Sequence, residues 1–213
     1  MNINARDAHG STPLLCSADK GDLQAAKWLV QNGADVNVKD NSGRTALHYA
    51  ACSGYLDMVK WLVEERNVDV NARDDDGETA LHYAAGSGHL DMVKWLVEEG
   101  NVDVNARNNS GRTALHYAAR SGYLDMVKWL VEERNVDVNA RNNDGWTALH
   151  YAAHYRHLDM VKWLVEERNV DIYLTDINGR TASDYGSEEV SRYLGQLDQS
   201  IESRAESAAK AES

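Results

Sequence analysis

A recurrence of 34 residues constrains this chain more than any other feature. Gly43, Gly77, Gly111, Gly145 and Gly179 stand at that spacing, each opening a segment G-x-T-A-L-H-Y-A-A that is shortened in the last copy. The string Leu-Asp-Met-Val-Lys-Trp-Leu-Val-Glu-Glu follows unchanged at 56–65, 90–99, 124–133 and 158–167. A fixed period of this length specifies a stack of small units that bury their apolar faces on one another, not one closed core. Such a stack presents surface, and surface of this kind usually binds.

In the second copy, Asp40-Asn41-Ser42-Gly43 places Asp first and Gly fourth in a type I turn. Thr45 then caps a helix expected through Ser53, Gly54 closes it, and Leu56 opens a second helix expected through Glu65. At 100° per residue, Leu47, Ala50 and Ala51 share one face of the first helix, and Tyr49, Cys52 and Ser53 the opposite one. A mostly alanine face lets a neighbouring helix approach closely. In the second helix, Met58, Val59, Trp61, Leu62 and Val63 spread over roughly 200°, too wide for one contact, leaving Asp57, Lys60 and Glu64 to water. That helix ends at Arg66-Asn67, or Gly100-Asn101 in the third copy, where Asn or Gly takes a left-handed cap. An extended Val-Asp-Val-Asn-Ala-Arg leads to the next turn.

These residues resemble the ankyrin repeat family. Its helix-opening T-P-L-H stands here as Thr45-Ala46-Leu47-His48 and again at 79–82, 113–116 and 147–150; its D-V-N loop stands at 35–37, 69–71, 103–105 and 137–139. Alanine replaces the proline in all but Thr12-Pro13-Leu14-Leu15, and the loop carries one residue more than the usual unit. The resemblance implies an all-α solenoid of helix-turn-helix units joined by extended β-turn loops around a concave groove. The expected organisation is the end of a preceding loop at 1–9, a first repeat with polar capping character at 10–42, and repeats at 43–76, 77–110, 111–144 and 145–178. A truncated capping repeat at 179–197 and a polar tail at 198–213, frayed helix or disorder, complete it.

Composition narrows the function. A formal charge of −12 opposes nucleic acid and anionic membrane alike. No apolar run reaches a membrane span. Two cysteines, Cys16 and Cys52, in different repeats without metal spacing fit a reducing compartment, and the expected location is cytoplasmic.

The recurring histidines His48, His82, His116 and His150 invite a catalytic reading, but an active site does not come in four equivalent copies. The resemblance assigns them to hydrogen bonds tying Thr and neighbouring loops together. His150, His154 and His157 have a spacing that could hold a metal, yet His150 already belongs to that ladder. Trp28, Trp61, Trp95, Trp129 and Trp163 sit in register with Met58 and Leu62 as packing residues. Among loop asparagines that the family can carry hydroxylated, only Asn37 keeps the usual spacing to an upstream Leu. No phosphate loop or nucleophile–base pair is present, so no catalysis and no cofactor are expected.

Near-identical copies serve as their own comparison, because a position that differs between them is not dictated by the stack. After the turn glycine the residue runs Arg44, Glu78, Arg112, Trp146; after Ala-Ala it runs Cys52, Gly86, Arg120, His154. The second set shares a face with Tyr49, Tyr83, Tyr117 and Tyr151. In ankyrin proteins turn tips and first helices line the groove, so a protein or peptide partner is expected there, bound by a monomeric scaffold. Asp74, Asp75, Asp76 and Glu78 make the third copy acidic; Arg112, Arg120, Trp146, His154, Tyr155 and Arg156 enrich the fourth and fifth in hot-spot residue types. Arg156 replaces the inter-helix glycine, a strained position if the turn needs positive φ. The strongest anchors are expected at Trp146, Tyr151 and Arg156, on a groove of about 50 Å. The competing expectation is a spacer or self-assembly module of a longer chain, or an engineered scaffold without a natural partner.

Overall fold

The computed structural model describes residues 2–168 and 170–211. The chain forms two compact units, Met1–Val136 and Asp137–Ser213. In the first, four helix pairs follow one another: α1 (Pro13–Lys20) with α2 (Leu23–Gln31), α3 (Ala46–Cys52) with α4 (Leu56–Lys60), α5 (Ala80–Ser87) with α6 (Leu90–Glu98), and α7 (Ala114–Ser121) with α8 (Leu124–Glu132). In the second unit, α9 (Ala148–His154) pairs with α10 (Leu158–Arg168), and α11 (Ala182–Tyr185) precedes α12 (Glu188–Ala211). Among the described residues there is no strand, only an isolated antiparallel bridge between Thr175 and Thr181.

Each first helix opens on a threonine cap, because the first amides of a helix have no partner within it and must find one outside. Thr45, at φ −102° and ψ 173°, solves this by donating its N–H to His48 Nδ1 at 3.1 Å. A backbone amide only donates, so the imidazole carries its proton on Nε2 and donates to the Ala72 and Glu78 carbonyls, both at 3.1 Å. His82 repeats this on Thr79 and on the Ala106 and Arg112 carbonyls. The expected histidine ladder is therefore structural: each ring closes its own helix and holds the loop of the next repeat. Burial lowers the pKa of His48 and His82 and keeps the rings neutral.

The alanine face is fully buried as expected, with Leu47, Ala50, Ala51, Leu81, Ala84 and Ala85 excluded from water. It lets α5 lie between α3 and α7. The inter-helix glycines take positive φ, and at Gly88 (φ 82°) an added Cβ would lie 2.5 Å from the Tyr123 ring. Met58, Val59, Trp61 and Leu62 are buried as the broad stripe requires. Trp28, by contrast, is 57% exposed.

One detail differs from the sequence expectation and another narrows it. The second helix of copy two is α-helical only to Lys60 and continues as a π-helical turn over Trp61–Glu65, with the Arg66 N–H reaching the Trp61 carbonyl at 3.2 Å. Residues 56–65 are identical to 90–99, so this widening is not written in the helix itself. The tail, expected as frayed helix or disorder, is helical, since α12 runs unbroken to Ala211. Tyr193 Oη donates to Glu166 at 2.8 Å, tying α12 to α10. Glu212 and Ser213 of that tail, and Met1, lie outside the described residues.

The extra residue of the 34-residue unit is absorbed at the end of the second helix. In copy one, the Ala34 N–H donates to the Leu29 carbonyl, five residues back. In later copies Val68, Val102 and Val136 reach Leu62, Leu96 and Leu130, six residues back, at 3.1, 3.1 and 3.2 Å. The inserted position is Asn67, Asn101 or Asn135, at φ 52°, 53° and 50°.

Candidate protein-binding surface

The turn tips are built by side chains that mimic backbone. Asp40 Oδ1 accepts from the Ser42 and Arg44 amides at 2.8 and 2.9 Å; Asp74, Asn108, Asn142 and Asp176 do the same in their turns. Successive tips pair: the Asp75 N–H donates to the Ser42 carbonyl and the Asn109 N–H to the Asp76 carbonyl, each at 3.0 Å. Glycine is required within this ladder, since a Cβ at Gly43 (φ 78°) would come within 2.4 Å of Asp75 Oδ1.

The second carboxylate oxygen of each turn faces the tyrosine nine residues on. Tyr49 Oη donates to Asp40 Oδ2 and Tyr83 Oη to Asp74 Oδ2, both at 2.7 Å. Asp40 also receives Arg44 Nε at 2.9 Å, and that guanidinium lies 5.1 Å from the Tyr49 ring centroid. Burial alone would raise the Asp40 pKa, but the bonds from Tyr49, Arg44 and Ser42 outweigh it and hold the carboxyl below its ordinary value. Burial, then the hydrogen bond to Asp74, pushes Tyr83 far above the usual phenol range.

Where the turn carries Asn108, the amide offers a donor instead of an acceptor. Asn108 Nδ2 donates to Tyr117 Oη at 3.0 Å, and the tyrosine proton turns to Glu78 of the preceding repeat. Glu78 thus supplies the carboxylate that its neighbour lacks. Burial and then this contact raise the Tyr117 pKa.

In the second unit, Asn142 Nδ2 donates to Tyr151 Oη at 3.1 Å, and the Trp146 ring covers Tyr151 at 5.0 Å between centroids. Tyr151 is only 5% exposed, so of the three expected anchors it offers the least surface. Trp146 is half-buried and also meets His154 at 5.4 Å and Tyr185 at 4.6 Å. His154, Tyr155 and Arg156 are exposed. Arg156 has φ 65°, so the replaced glycine position does demand the left-handed conformation.

The remaining expected site residues divide by exposure. Cys52, Asp76 and Arg120 are exposed, while Arg44, Tyr49, Glu78, Tyr83, Arg112 and Tyr117 are half-buried within the turn networks. Arg180 and Tyr185, not among the expected residues, fall in register with them. Arg180 follows Gly179 as Arg44 follows Gly43, and Tyr185 follows Thr181 as Tyr49 follows Thr45. His150 is held by the Thr147 amide at 3.3 Å, as the ladder reading requires.

Known protein families share the repeat pattern of this chain. One family model, of ankyrin repeats in three copies, matches residues 1–74 and 66–142. A second, of ankyrin repeats in many copies, matches residues 121–165 and 150–187. Among curated proteins no match was found.

Proposed function

Since this chain belongs to the ankyrin repeat family, whose repeats generally mediate protein–protein interaction, we propose that it is a scaffold binding one protein or peptide partner through its turn tips and first helices. The observation that carries the reading is the division between frame and variation. Thr–His pairs and Asx turns recur from copy to copy, whereas Cys52, Arg120 and His154 occupy one position, differ between copies and are exposed. Variation on an exposed face held by an invariant frame is how one architecture serves different partners. On the first unit the surface comprises Arg44, Cys52, Asp76, Glu78, Arg112 and Arg120. On the second it comprises Trp146, His154, Tyr155 and Arg156, with Trp146 and Arg156 as anchors.

The proposed protein works as a monomer in the cytoplasm, a setting suited to its free, exposed Cys16 and Cys52. No helix among the described residues is long and apolar enough to cross a membrane. The test is to capture a partner from lysate, purify it, and measure its affinity for Trp146→Ala and Arg156→Gly variants. Each is expected to weaken binding about tenfold or more. Unchanged affinity in both would place the contact elsewhere.

A further inference from the structure

Arg44 and Arg180 occupy the same register position, each beside a turn aspartate, yet they end differently. Arg44 Nε hydrogen-bonds Asp40 at 2.9 Å. Arg180 Nε keeps an ion pair with Asp176 Oδ2 at 3.9 Å but stands outside hydrogen-bond range, so its N–H donors stay open. The reason is that Asp176 is already saturated. Its Oδ1 accepts the Asn178 and Arg180 amides, and its Oδ2 accepts Tyr185 Oη and Asn178 Nδ2. The displaced guanidinium lies over the Tyr185 ring, 4.6 Å from its centroid, with its side chain 52% exposed. Among the described residues none accepts a hydrogen bond from it.

Tyr185 in turn belongs to the ring cluster of Trp146 and His154, at 4.6 and 6.0 Å. Tyr155, 42% exposed, extends the cluster from His154 at 4.9 Å. The rings lie too close together to enclose a cation between them, so they act as a platform and not a cage. Of the nearby acids, Asp176 is occupied and Asp184 accepts from the Thr181 amide and hydroxyl at 2.7 and 3.0 Å. A rigid fork of unused donors beside an apolar platform is complementary to a carboxylate next to an aromatic or aliphatic side chain.

We propose that the Arg180–Tyr185–Trp146–His154 cluster is a docking site for an acidic polypeptide segment whose Asp or Glu pairs with Arg180 while an adjacent apolar side chain covers the rings. A single carboxylate matches the one displaced guanidinium; a dianionic phosphate would stand against Asp176. This assignment rests on the protein-binding reading and names the partner's chemistry.

The test titrates the full chain with a short fluorescein-labelled peptide of Glu and Asp around one Phe, followed by anisotropy and by NMR shifts. Expected results are binding that weakens with added salt, shifts at the Trp146 indole and His154, and about tenfold weaker binding by Arg180→Gln but not Arg66→Gln. Absence of binding, equal binding of a control peptide in which every Glu is Gln and every Asp is Asn, indifference to Arg180→Gln, or tighter binding of a phosphoserine peptide would each overturn it. Shifts confined to residues 40–120 would overturn the assignment and leave the broader protein-binding reading standing, to be decided by Trp146→Ala and Arg156→Gly against a purified partner.

Discussion

A buried imidazole that accepts one amide and donates to two carbonyls serves three backbone groups at once. Replacing His82 by Ala strands the Thr79 N–H and the Ala106 and Arg112 carbonyls together. The expected loss is about 2–4 kcal/mol, read from urea unfolding of the variant against the parent. Arg156 gives the opposite sign: at φ 65°, Arg156→Gly should raise stability by about 1 kcal/mol, seen as a higher thermal midpoint. The histidine role was legible through the family resemblance; of its bonds only the one to the threonine three residues earlier is local, and those to the next loop reach 24 and 30 residues along the chain. The tyrosine role was only half legible. Face arithmetic placed Tyr49 opposite the core, but a hydroxyl bond to a residue nine positions earlier lies beyond any helical period. Nor could the sequence alone show that the Trp146 ring would come to lie against its tyrosine, 5.0 Å between centroids.

Element boundaries followed from caps and glycines wherever those were present. Thr45, Thr79, Thr113 and Thr147 mark helix starts to the residue, because each cap needs its own hydrogen-bond pattern. The second-helix ends were legible as left-handed asparagines, and their strain can be measured. Asn101→Val should cost about 1–2 kcal/mol in urea unfolding, while Asn101→Gly should stay close to the parent. The π-helical turn at Trp61–Glu65 had no signal, since its residues match those of α6. The tail was legible only as a choice between frayed helix and disorder. Glu, Ser, Ala and Lys lack an apolar stripe, which reads as disorder, yet Ala, Glu and Lys are also strong helix formers.

At the level of the whole molecule, protonation adds up across repeats. His48, His82 and His150 all have pKa values lowered by burial, so the unfolded chain binds protons that the folded chain refuses. Their contribution is complete above the ordinary histidine value of about 6.5 and is lost as pH falls below it, by up to about 1.4 kcal/mol per pH unit for each ring. Asp40, held below its ordinary value by its hydrogen bonds, acts in the same direction at lower pH. The urea midpoint is therefore expected to be flat from pH 8 to about 7 and to drop by pH 5.5, with His82→Gln showing a shallower drop. A midpoint that rises on acidification would contradict the neutral-imidazole assignment.

The carboxylate that Glu78 lends to Tyr117 sets a limit on how freely these copies can be exchanged. Repeats of this kind are often treated as bricks that can be duplicated, deleted or shuffled. Here copies three and four are a matched couple. Asn108 leaves Tyr117 without an acceptor of its own, and the glutamate at 78 completes it. An Asn108→Asp change would restore self-sufficiency to the fourth copy but crowd two carboxylates around one hydroxyl. Exchanging Glu78 for the arginine found at 44 would leave the tyrosine proton without its acceptor. An array that separates Tyr117 from Glu78 removes that acceptor unless position 108 becomes Asp, so the two residues travel best as a single unit of sixty-eight residues, two periods long.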